Sequence, residues 1–141
     1  MSDSTRMNPH EYSVAYHLNH VISIMPGEKE AVDALESLLA NGFMESEVTL
    51  TSGQEIADRI RASSGRSGLV GRVLQVVDHF EGGGEEMEAR HQYEQALRDG
   101  HVNVLVLAPT EERKQRAAEI LQQHGGRFIY FFGRLAIEQL A

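Results

Sequence analysis

The sequence predicts an α+β fold in which two βαβ units share one four-stranded sheet, with a helical insertion between the units. Three observations carry this. A short β-branched run followed by helical spacing occurs twice along the 141 residues. The two copies superpose at an offset of 83, with Pro26 on Pro109, Glu28 on Glu111, Ala34 on Ala117, Leu38 on Leu121 and Gly42 on Gly125. Residues 52–100, which separate the copies, are too many for a plain loop and carry helical patterns of their own.

Taken in order, residues 1–17 are polar, include Asn8-Pro9 and show no clean period, so they read as a flexible tail ahead of a single domain over 18–141. The run Val21-Ile22-Ser23-Ile24-Met25, ended by Pro26-Gly27, has the length and β-branching of a strand. Ala31, Val32, Ala34, Leu35, Leu38 and Leu39 then recur at helical spacing until Asn41-Gly42 supplies a left-handed stop. Residues 47–51 alternate polar and apolar, as a half-buried strand does, and complete a unit over 20–51. In the insertion, Ser52-Gly53-Gln54-Glu55 reads as a capping box opening a helix through Ile56 and Ile60. Leu69, Val73, Val76, Val77 and Phe80 form the stripe of a second helix, closed before Gly82-Gly83-Gly84, and residues 85–98 form a third with Ala89, Tyr93, Ala96 and Leu97 on one face. The second unit, 101–132, begins with the strand HVNVLVLA at 101–108. A helix follows from about Glu111, with Ala117, Ile120, Leu121 and His124 on its stripe, closed by Gly125-Gly126, and then a strand RFIYFF at 127–132. Residues 134–141, with Leu135 and Leu140, read as a short C-terminal helix. Two units of this size with right-handed crossovers most simply give the ferredoxin-like arrangement, both helices on one face.

Composition narrows the function classes. Thirteen Lys and Arg against 21 Asp and Glu give a net charge of -8, which works against a phosphate-binding footprint on nucleic acid and against anionic membranes. The absence of cysteine removes disulfides, thiolate nucleophiles and Cys-based metal sites. The start, MSDSTRMNPHEY, has no apolar core of a leader, and no hydrophobic run approaches a membrane span. The expectation is a cytoplasmic protein without membrane insertion, nucleic acid or cofactor.

The pattern His91-x-Tyr93-x3-Leu97-x2-Gly100-His101-Val102, followed by a β run, then Ala118-Glu119-Ile120-Leu121 and His124-Gly125, resembles the small bacterial general-stress (heat-induced stress) protein modules. Asn41-Gly42-Phe43 and Ser64-Gly65-Arg66-Ser67-Gly68-Leu69 are similar too, so the likeness spans residues 20–139. The resemblance implies a small stress-associated α+β domain and brings no catalytic residues with it.

Few side chains present chemistry. His10, His17 and His20 offer three imidazoles to a divalent metal, though no Cys or compact carboxylate cluster completes the set, and solvated or capping roles account for them. Ser64, Gly65, Arg66 and Ser67 precede a helix and could receive a phosphate or carboxylate, yet the spacing and lysine of a P-loop are missing and a hinge with a good N-cap explains them as well. His91, Tyr93 and His124, with Tyr130 and Arg134, are the groups able to do acid–base work on a small substrate. Each also has a packing or capping explanation. Charge is segregated, with four arginines and no acid over 59–72 and seven acids with two arginines over 78–99, which suits either pairing within the insertion or a contact between protomers.

The second unit is apolar on both faces of its strands. Val102, Val104 and Val106 oppose Leu105 and Leu107, and Phe128, Tyr130 and Phe132 oppose Ile129 and Phe131. Two crossover helices cover one face, so insertion helices or a second protomer must cover the other, with Val73, Val77 and Phe80 as the interface residues. The resulting expectation is a non-catalytic, stress-associated interaction or regulatory module that forms a homodimer and accepts a protein partner. The alternative is a sensor binding an anionic small molecule at a protomer interface or near Arg66. A small enzyme using His91, Tyr93 or His124 ranks third.

Overall fold

A computed structural model describes residues 18–63, 67–76, 87–134 and 136–141. In chain order these form β1 (His20–Met25), α1 (Glu28–Ala40), a 3-10 turn (Glu45–Glu47), β2 (Val48–Ser52), α2 (Gln54–Ser63), α3 (Ser67–Val73), β3 (Leu74–Val76), α4 (Met87–Arg98), β4 (Val102–Leu107), α5 (Glu111–Gln123), β5 (Arg127–Phe132) and β6 (Ile137–Gln139). The chain is α+β, with one six-stranded sheet in the order β3-β2-β4-β1-β5-β6. Only β2 and β3 are parallel; every other neighbouring pair is antiparallel. The strand at 101–108, expected as the longest two-faced run, supplies β4, an inner strand between β2 and β1.

The doubled pattern becomes an exchange of strands. Each unit's second strand pairs with the other unit's first, β2 with β4 and β5 with β1, while β1 and β4 run side by side in the middle. The repeat is exact at the helix ends. Gly42 and Gly125 take φ of 99° and 89°, and their N–H groups bond to Leu39 O and Gln122 O at 3.3 and 3.0 Å. One residue later, Phe43 N and Gly126 N reach back to Leu38 O and Leu121 O at 3.1 and 2.8 Å. This double closure satisfies the last carbonyls of a helix and needs a residue free to adopt positive φ. After it the copies diverge, because the first inserts the 3-10 turn while the second passes directly into β5.

Alternation sorts the strand residues as the pattern requires. Val21, Met25, Val48, Leu50, Val102, Val104, Val106 and Ile129 pack with Ala31, Leu35 and Leu38 of α1 and with Ala117, Ile120 and Leu121 of α5. Ile22, Ile24, Leu105 and Phe132 face the other way and pack with Tyr93 and Ala96 of α4. An insertion helix therefore covers the second face within this chain.

Four expectations need correction. The sheet has six strands, not four. Residues 134–141 contain a strand in place of a helix: β6 pairs with β5 through Phe132↔Ile137, Phe131↔Glu138 and Tyr130↔Gln139. So short a segment cannot nucleate a helix unaided, whereas the edge of β5 offers unpaired backbone groups. Lys114 of α5, 8% exposed, holds Glu138 of β6 at 2.7 Å and lies 4.8 Å from the Phe131 ring centre. The helix expected through Val73, Val76 and Phe80 ends at Val73, and residues 74–76 become β3 on the free edge of β2. Ladder bonds to β2 outweigh the helical spacing there. Finally, Ser52 is the last residue of β2, not a cap; its hydroxyl donates to Gly53 O, and Gly53 O accepts the first bond of α2 from Ala57 N.

Replacing Leu121, fully buried between α5 and the sheet, by Ala should cost about 2–5 kcal/mol in denaturant unfolding. Gly126→Ala should be destabilising on the scale of a core cavity, because its Cβ would strike Ser23 Oγ and lie 2.8 Å from Leu121 O. Gly53→Ala, which meets nothing within 4 Å, serves as the control and should leave the melting temperature nearly unchanged.

Candidate functional site

Tyr93 is 1% exposed beneath α4. Its hydroxyl lies 2.8 Å from Phe128 O and 3.2 Å from Ile22 O, donating to the backbone where the β1–β5 register shifts between Ile22 and Ile24. Phe128, whose carbonyl accepts from the phenol, has a φ of 49° beside this irregularity. The rings of Tyr130 and Phe132 stand 6.5 and 6.3 Å from that of Tyr93. Asn103 Nδ2 donates to Tyr93 O at 3.3 Å, which fixes the orientation of the amide and leaves Oδ1 buried without a partner. Thr51 Oγ1, opposite it in the β2–β4 ladder, is buried and unpartnered as well. Burial, with a smaller contribution from Tyr130, pushes the Tyr93 hydroxyl well above its ordinary pKa.

The three residues expected to share acid–base chemistry are not brought together. Tyr93 is on the second face, His91 is exposed two positions away on α4, and His124 is the half-buried C-cap of α5 on the first face. The sheet separates Tyr93 from His124. Tyr130 is half-buried and Arg134 exposed. His20 Nδ1 sits 3.0 Å from Leu18 O, while His10 and His17 lie outside the described residues. Among the described residues no cluster of His, Asp or Glu could hold a metal. Ser64, Gly65 and Arg66 also lie outside them, and Ser67 opens α3. Val73 is buried in the first-face core rather than on the second face; Val77 and Phe80 fall outside the described residues. The basic stretch of the insertion turns to the first unit: Arg59 pairs with Glu28 at 3.5 Å, and Arg72 grips Glu45 through two bonds of 2.8 Å. That grip lowers the Glu45 pKa.

The sequence pattern did not reveal a cleft of about 270 Å³ lined by Asn41, Phe43, Thr110, Glu112, Arg113 and Arg116. Two features expected from the sequence build it: the left-handed turn after α1 and the punctuation before α5, where Thr110 Oγ1 accepts from Arg113 N at 3.2 Å. Arg113 is the fixed wall. Its Nη2 donates to Gly42 O at 3.1 Å and to Glu47 Oε1 at 3.0 Å, with the guanidinium 4.3 Å from the Phe43 ring centre. Glu47 also accepts from Met44 N at 2.9 Å, so the carboxylate that holds Arg113 is itself held. Arg116 is free to move by comparison: its Nη2 lies 3.9 Å from Glu112, beyond hydrogen-bond range. The available signal was the i, i+3 spacing of Arg113 and Arg116 behind an N-cap.

Compared with protein-family models, curated proteins and solved structures, the chain matches none. Among the described residues no helix is long and apolar enough to cross a membrane.

Tyr93→Phe should cost about 1–3 kcal/mol, the penalty for leaving a buried partner unsatisfied. The raised folded-state pKa means that this residue's titration-linked stability is complete below its unfolded value of about 10 and is lost as pH rises from there to the folded value. Alkaline unfolding should therefore be less steep in the variant, as read by helical ellipticity against pH.

Proposed function

We propose that the chain is a ferredoxin-like, non-catalytic interaction or regulatory module, stress-associated as its sequence motifs imply, which self-associates along the margin of its second sheet face. One observation carries the reading. α4 covers Ile22, Ile24 and Leu105, but the row Leu107–His20–Phe132–Ile137, which crosses four strands at one level, keeps Leu107 and Ile137 half-buried, with Tyr130 half-buried beside it. Leu107, Tyr130 and Ile137 flank the half-buried His20 imidazole and the buried Phe132 ring, and a largely apolar sheet margin of this kind is a surface that an isologous pair buries. The non-catalytic part is supported by Tyr93, whose hydroxyl is committed to backbone carbonyls, and by the sheet that separates it from His124.

Light scattering should give a mass above the 15.7 kDa of one chain at high protein concentration. Ile137→Glu should restore the single-chain mass while the chain stays folded by helical ellipticity, with some loss of melting temperature because Ile137 also packs against the second-face core. A wild-type mass of one chain throughout would overturn self-association.

A further inference from the structure

The Arg113 cleft lies apart from the proposed self-association surface, and of its lining Phe43 belongs to the core, beneath the Arg113 guanidinium. Arg113 is compensated by Glu47, which leaves Arg116 and Glu112 as the adjustable groups of the lining, 47% and 84% exposed in their side chains and 3.9 Å apart. An exposed pair at that separation is worth little and rearranges easily. A ligand carrying only negative charge would gain Arg116 but would face Glu112. A ligand carrying only positive charge would gain Glu112 and face two guanidinium groups. A molecule carrying both charges close together satisfies both side chains. Size points the same way: about 270 Å³ lies below the roughly 300–1,000 Å³ of drug-sized sites and suits a small metabolite.

We infer that this cleft binds a small zwitterion of the free α-amino acid class, its carboxylate on the Arg116 guanidinium and its ammonium on the Glu112 carboxylate, with Asn41 and Thr110 as neutral lining and Phe43 as the floor under Arg113. Carboxylate on guanidinium can be bidentate, which orients the ligand as well as attracting it. Arg113 is a positioning residue, because its bonds to Gly42 O and Glu47 shape the wall.

Isothermal titration of the full chain with the twenty common α-amino acids tests this, alongside their 2-hydroxy-acid analogues, simple primary amines and inorganic phosphate. At least one amino acid should bind, and its analogue lacking the ammonium should bind about tenfold or more weakly, as expected for losing one charge-assisted bond. Arg116→Gln should weaken the amino acid by a similar factor. Glu112→Gln should also weaken it while leaving the hydroxy acid unchanged or improved, a crossover that a merely structural role would not produce. Arg61→Gln, exposed and outside the cleft, should change nothing. The inference is overturned if no amino acid binds, if phosphate or an amine binds as tightly, or if Arg116→Gln leaves affinity intact with the melting temperature unchanged.

Discussion

The bond from the Tyr93 hydroxyl to the Phe128 carbonyl is the contact on which the closed form of this fold depends. The sheet is apolar on both faces, and α1 and α5 can cover only one of them. An open second face would leave Ile22, Ile24 and Leu105 in water, at about 25 cal/mol for each Å² of apolar surface. α4 removes that exposure, and Tyr93 holds α4 at a defined place through the ring, the hydroxyl and its own backbone carbonyl. The β1–β5 irregularity is the receiving half of the arrangement: the register shifts between Ile22 and Ile24, and the carbonyls of Ile22 and Phe128 on either side of it accept from the phenol.

The insertion is thereby divided in its loyalties. Its last helix closes the second face, while Val70, Val73 and Leu74 join the first-face core beside Ile56 and Ile60 of α2. The arginines of that first part pair with Glu28 and Glu45 of the first unit. The same residues 52–100 thus serve both sides of the sheet, and β3 extends the sheet at the edge of β2. At the opposite edge β6 is held by Lys114, whose ammonium sits between Glu138 and Glu111 and whose pKa rises through the hydrogen bonds to both. Each edge strand is short, which limits the length of unpaired backbone that it presents.

The proposed function rests on where polar groups remain adjustable. Tyr93 is committed, His124 caps a helix and Arg113 is held by a carboxylate that is itself held. By contrast, Arg116 and Glu112 face a cleft as a loose ion pair without a hydrogen bond between them, and Leu107, Tyr130 and Ile137 remain half-covered at the sheet margin. These two places among the described residues, one polar and one apolar, are the ones on which the proposed ligand binding and self-association rest.

The sequence by itself determined what depends on local order: the two strand–helix copies, their alternation and stripe, and the left-handed stops at Gly42 and Gly125, since periodicity and backbone sterics act over a few residues. It also identified Tyr93 as apolar-facing and β4 as two-faced. Only the tertiary structure decided that residues 74–76 and 137–139 are strands, because each is too short for its own pattern to outweigh the hydrogen bonds offered by a neighbouring edge. The cleft as a whole was illegible for a different reason, although the i, i+3 spacing of Arg113 and Arg116 was there to be read. Asn41 and Arg116 meet only when the end of α1 and the start of α5 are packed on one face, and no spacing along the chain encodes that distance.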